Sequence, residues 1–226
     1  MRGARRTDDP MHAELREESI VFAAGPLGIE GRYAPAGSGP GAVVTHPHPL
    51  MGGTMENNVV GTLTATLRDQ GYATLRFNFR GVGRSGGSHG GGIGEQEDVA
   101  AAIGYLRLKG VRDILLAGYS FGAWVNVKVL RRDPSLRPGI LVSPPIGLMD
   151  FDFSGLAGRI ALIVAGDRDP YCNPERLLEE ARRIGAAIKL LRGVDHFFGG
   201  SEPELSACLA AHGPGHLGGI DVTGSG

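Results

Sequence analysis

One serine in the 226-residue chain stands where a serine can become a nucleophile. Ser120 is the centre of Gly118-Tyr119-Ser120-Phe121-Gly122, between the apolar run DILLA and the helix-like run FGAWVNVKVL. At a strand-to-helix junction, G-x-S-x-G makes a turn too tight for side chains at the flanking positions and lifts the hydroxyl clear of the sheet. It also sets Ser120 at a helix N-terminus, where free N–H groups favour developing negative charge. A serine hydroxyl needs a base, usually histidine, itself oriented by a carboxylate. Both types follow in the order Ser, Asp, His. Gly166-Asp167-Arg168-Asp169-Pro170 comes after the strand-like IALIVAG, and Gly193-Val194-Asp195-His196-Phe197-Phe198 after AAIKLL. The chemistry is acyl transfer, with Ser120 as nucleophile and His196 as general base. Asp167 and Asp169 both offer a carboxylate, and two residues apart they point differently, so only one reaches the imidazole. Asp195 is expected to shape its own loop.

Acyl transfer also needs N–H donors aimed at the oxyanion. One is the backbone of Phe121, after the nucleophile. The other belongs in residues 45–53, THPHPLMGG, where Pro47 and Pro49 have no N–H to give. His48 is the expected donor, with Leu50 behind it. His46 and His48 are too few ligands for a metal site and have no carboxylate or cysteine partner in the sequence, so no metal is expected and His46 is read as shaping the loop. A second cluster, Gly81-Val82-Gly83-Arg84-Ser85-Gly86, has the G-x-G-x-x-G form of a dinucleotide site. It does not open a helix directly and lacks the acidic residue at the required distance. No cofactor is expected, and the segment is read as a flexible turn beside the site.

These loops must be held by alternating strands and helices. Strands are expected at 19–24, 28–33, 42–45, 73–79, 113–117, 139–142, 160–165 and 187–191. Helices are expected at 57–69, 95–108, 121–132, 174–184 and 202–211. Runs such as ILLAG suit strands covered on both faces of a mostly parallel sheet. Val99, Ile103 and Leu106 make one apolar helix face. The order predicts an α/β layered domain over 18–211, after a polar lead-in at 1–17 and before a flexible glycine-rich tail at 212–226.

Composition excludes several classes. With 23 basic and 24 acidic residues there is no nucleic-acid footprint. The 38 glycines, well above the usual share of about 7%, have no collagen period. Cys172 and Cys208 make no disulfide framework or zinc pattern and read as ordinary thiols. The N-terminal stretch lacks the apolar core of a signal peptide, and no run is long enough for a membrane span. The expectation is a cytoplasmic protein, monomer or homodimer, with no nucleic-acid or membrane partner.

Taken together, GYSFG, GDRD, VDHFF, THPHPLMGGTMENNVV and RFNFRGVGRSGG resemble the α/β-hydrolase superfamily. The likeness is greatest to its small, lid-poor bacterial members near the dienelactone-hydrolase-like branch. The resemblance implies an α/β-hydrolase fold: about eight strands, the second antiparallel, flanked by helices. In that family the acid commonly stands as Gly-x-x-Asp, which puts it at Asp169. Dienelactone hydrolases proper use cysteine, so Ser120 does not imply that activity. Only residues 144–159 separate the sixth and seventh strands, room for a minimal lid, with Leu50, Met149 and Tyr171 as candidate pocket residues and Phe151 and Phe153 as possible lining. The implied activity is a carboxylesterase using a Ser120–His196–Asp169 triad on a small-molecule ester. The same fold also carries peptidases, thioesterases and acyltransferases.

Overall fold

The computed structural model describes residues 17–212. The expected lead-in and tail lie outside them except for Glu17, whose carboxylate pairs with Arg76 at 2.6 Å, and His212, which ends the last helix.

Eight strands form one sheet: β1 (Glu18–Ala24), β2 (Leu27–Ala34), β3 (Gly41–Thr45), β4 (Ala73–Phe77), β5 (Ile114–Tyr119), β6 (Gly139–Val142), β7 (Ile160–Gly166) and β8 (Ala187–Leu191). Their spatial order is β1-β2-β4-β3-β5-β6-β7-β8. β2 runs antiparallel to β1 and β4, and every other pairing is parallel. The carboxyl ends of β3, β5, β6, β7 and β8 therefore share one edge of the sheet, where ligands bind in open α/β folds.

Five helices cover the faces: α1 (Asn58–Asp69), α2 (Ile93–Leu108), α3 (Phe121–Arg132), α4 (Pro174–Ile184) and α5 (Glu202–His212). In β5, Ile114 and Leu116 face one apolar cluster with α2, α3 and α4, while Leu115, Ala117 and Tyr119 face a second with α1 and α5. Side chains alternate across a strand. A strand covered on both sides must therefore be apolar throughout, which accounts for ILLAGY and IALIVAG.

Helix α2 starts two residues earlier than expected because Glu95, fully buried, turns back to accept the N–H groups of Gly90 and Gly92 at 2.8 and 2.7 Å. That satisfies donors at the helix start. The glycine-rich turn before it is pinned, in contrast to the flexible turn expected. Arg80 donates to the buried Asp98 at 2.8 Å, and Glu30 accepts the Arg84 N–H at 2.6 Å and the Asn78 amide at 2.7 Å. A Cβ at Gly83 would strike the Glu30 carboxylate. A protein carboxylate thus already sits in the turn that the dinucleotide pattern suggested.

At Gly122, helix α3 comes so close to β3 that a Cβ would lie 2.6 Å from the Thr45 carbonyl oxygen and 2.8 Å from that of His46. Backbone cannot move aside as a flexible side chain can. We expect Gly122→Ala to lower stability by about 2 kcal/mol, in the range for overpacking, read as the denaturation midpoint against wild type.

Candidate active site

Ser120 sits at φ 55° and ψ −117°, between β5 and α3. A residue with a Cβ avoids this region unless its surroundings enforce it, at a cost of about 1–3 kcal/mol. The enforcement is visible: Ser120 N–H is held by the Val142 carbonyl at 2.9 Å, and a Cβ at Gly118 would lie 2.6 Å from the Asn126 amide.

The structure brings Ser120, His196 and Asp169 into one line, all three buried. Ser120 Oγ lies 3.0 Å from His196 Nε2, and His196 Nδ1 lies 2.7 Å from Asp169 Oδ2. With Nδ1–H donating to the carboxylate, Nε2 is left bare to accept the serine proton. Burial raises the Asp169 pKa, but hydrogen bonds from His196 and Cys172 outweigh it and hold the carboxyl below its usual range. Asp167 points elsewhere: its carboxylate accepts Gly193 N–H at 2.7 Å and shapes the loop after β8. Asp195 likewise accepts Phe197 N–H at 2.9 Å, and the buried Tyr119 hydroxyl donates to the His196 carbonyl at 2.8 Å.

The loop after β3 is built around His46. Phe79 N–H donates to its Nε2 at 2.9 Å, so the proton is on Nδ1, which donates to the Pro47 carbonyl at 2.7 Å. With both nitrogens spent, His46 has none left for a metal. Burial drives its pKa down to about 4. His48 caps a single 3-10 turn, Pro49–Met51, its Nδ1 accepting Leu50 N–H at 3.2 Å. That bond takes up the alternative oxyanion donor at Leu50. His48 and Phe121 line the cavity with Ser120, and their rings pack at 4.9 Å.

The cavity over Ser120 measures about 150 Å³. Its walls include Met51, Pro145, Leu148, Met149, Tyr171 and Phe197, and among the described residues no Asp, Glu, Lys or Arg lines it. Met149 and Tyr171 stand where the sequence reading put them, Tyr171 with its ring edge-on to His196 at 4.9 Å. Leu50 does not line the cavity: both it and Met51 are 74% exposed on the 3-10 turn, and Met51 is the one that reaches the cavity wall. Phe151 and Phe153 are buried and stacked at 5.7 Å, packing residues in the lid-sized segment 143–159, which forms turns only.

The sequence reading missed Cys172. Its thiol lies 3.0 Å from Asp169 Oδ2, fully buried. Among the described residues, Asp169, Cys172 and His196 are a cluster whose ligand atoms lie close enough for a metal. Those atoms are already engaged with one another, and burial, then the Asp169 charge, pushes the thiol pKa up, so Cys172 stays a protonated donor. No sequence rule marks it, since a cysteine three residues past an aspartate has no motif of its own.

The sequence profile of the alpha/beta hydrolase family matches residues 43–214. The chain is 37% identical over 204 residues to an uncharacterized protein of Rickettsia prowazekii, covering 84% of this chain and 86% of that one. Among solved structures, an alpha-beta serine hydrolase homologue from Coxiella burnetii is 34% identical with a TM-score of 0.77, covering 86% of this chain and 96% of the other. A Xanthomonas campestris serine hydrolase described as without a lid is 27% identical, also with a TM-score of 0.77, covering 90% of this chain and 96% of the other.

Two outcomes follow from the buried and strained groups. Folded His46 takes up a proton only near pH 4, whereas the unfolded ring does so near 6.5. Its contribution to stability is whole above pH 6.5 and declines as the pH drops towards 4, by about 3 kcal/mol in total. We expect denaturant titrations at stepped pH to show that fall and the His46 ring protons to titrate near the lower value in NMR. At the turn, glycine relieves the strain that alanine keeps, so Ser120→Gly should be more stable than Ser120→Ala by about 1 kcal/mol, measured by chemical denaturation of the two variants.

Proposed function

The chain belongs to the α/β-hydrolase family, and from that premise we propose that this serine hydrolase cleaves carboxylic esters that are uncharged and carry a small apolar group. The observation that supports this most is the Ser120–His196–Asp169 line opening into a cavity without a charged wall. A substrate with an ionised headgroup finds no counter-charge there, and burying an unpaired charge is costly. An apolar cavity of about 150 Å³ holds a group the size of benzene, which suits a ring or a short chain.

Ser120 Oγ attacks the ester carbonyl carbon while its proton passes to His196 Nε2. Asp169 holds Nδ1–H and stabilises the imidazolium that forms. The carbonyl oxygen, now an oxyanion, receives the N–H groups of His48 and Phe121. Collapse of the tetrahedral intermediate breaks the carbon–oxygen bond, and His196 gives the proton to the departing alcohol. A water molecule then repeats the sequence on the acyl-enzyme, with His196 as base, and frees the acid and Ser120.

A panel of p-nitrophenyl esters tests this. We expect kcat/KM to be highest for butyrate, hexanoate and benzoate and to fall for palmitate and for a succinate half-ester. Ser120→Ala should reduce the rate by at least about 10³-fold and abolish labelling by a fluorophosphonate. Equal rates for wild type and Ser120→Ala would sink the proposal, and matched amides or thioesters turned over faster than every ester would reassign the reaction.

A further inference from the structure

We propose that Cys172 is a positioning residue for this site: its thiol holds the Asp169 carboxylate in the orientation that faces His196. The inference rests on the triad reading above. No arginine or lysine is among the hydrogen-bond partners of Asp169. Its Oδ1 accepts Tyr171 N–H at 2.9 Å, and its Oδ2 accepts His196 Nδ1–H at 2.7 Å and the Cys172 thiol at 3.0 Å. A buried carboxylate has several lone pairs to satisfy, and each one left bare costs free energy. The thiol converges with His196 on one oxygen, and so sets the rotation of the carboxylate about its own bond.

The chain on either side of Cys172 leaves the thiol little freedom. The Tyr171 carbonyl accepts Gly147 N–H at 2.8 Å, and Asn173 caps α4 by accepting Arg176 N–H at 3.2 Å. With the backbone tied before and after it, a fully buried Cys172 is held in the turn before α4 with its thiol 3.0 Å from Asp169 Oδ2. The neighbouring Ser143, at φ 43° and also buried, sets a hydroxyl beside the same carboxylate, and its pull on Asp169 ranks after those of His196 and Cys172. A thiol kept protonated by burial can donate here without competing as a base or nucleophile.

The test compares Cys172→Ala and Cys172→Val, which lack the donor, with Cys172→Ser, which restores one, in the full chain. The loss of a weak donor to a charged acceptor predicts a kcat about fivefold lower for Ala and Val, KM within about twofold, and recovery in Ser. The low-field proton resonance of His196 Nδ1–H in NMR should move and broaden in Ala and Val and return in Ser. Should Ala not fold, Val, close to cysteine in size, carries the comparison. Donorless variants that keep both the wild-type resonance and kcat would overturn the proposal and leave Cys172 a packing residue. The resonance reports the hydrogen bond without turnover. A wild type inert towards every ester, yet with a resonance displaced in Ala and Val, would count against the esterase reading and for the positioning role.

Discussion

The site depends on the contact between the first turn of helix α3 and the end of strand β3. There the helix backbone at Gly122 rests on the carbonyls of Thr45 and His46 with no room for a side chain. That closeness brings Phe121, just after Ser120, against the loop that carries His48, their rings 4.9 Å apart. Two residues from distant parts of the chain thereby line the same cavity. In the reaction proposed above they supply the oxyanion donors, and oxyanion stabilisation is sensitive to donor position.

Around that contact the fold uses buried neutral groups as fasteners. His46 bridges the Phe79 N–H and the Pro47 carbonyl and remains uncharged, because burial makes its protonated form costly. The Tyr119 hydroxyl performs a similar service from beneath the site, holding the His196 carbonyl. Among the described residues the buried acids are Asp169, where donors offset its desolvation, Glu95, which accepts two backbone N–H groups, and Glu30 and Asp98, which are matched by Arg84 and Arg80. The cavity itself is left without charge. Three loops that line it, after β3, β6 and β8, expose Met51, Leu148 and Phe197. With only turns between β6 and β7, that apolar rim stands open to solvent.

The local features of the chain were readable because each has a short-range cause. A continuous apolar run of six or seven residues has to be a strand covered on both faces, and G-x-S-x-G between such a run and a helix has to be a tight turn. The order Ser120, Asp169, His196, each at the carboxyl end of a strand, follows from those assignments and from parallel topology. The glycines that break the dinucleotide pattern were visible in the letters. Among the described residues no helix is long and apolar enough to cross a membrane, in keeping with a chain that has no long apolar run.

Tertiary structure decided what depends on the direction of a side chain. Asp167 and Asp169 are alike in sequence; only the path of the loop sends one to Gly193 and the other to His196. Leu50 and Met51 are adjacent apolar residues, both largely exposed, and of the two only Met51 lines the cavity. Cys172 reads as an ordinary thiol in the sequence, and the turn before α4 sets it 3.0 Å from the Asp169 carboxylate. Glycines 81–86 looked loose until Glu30, some fifty residues earlier, was seen to fill the turn. Spacing along the chain sets which residues can share an edge of the sheet. Which atoms touch is settled by long-range packing, because a rotation of one side chain or one turn of backbone changes a partner without changing a motif.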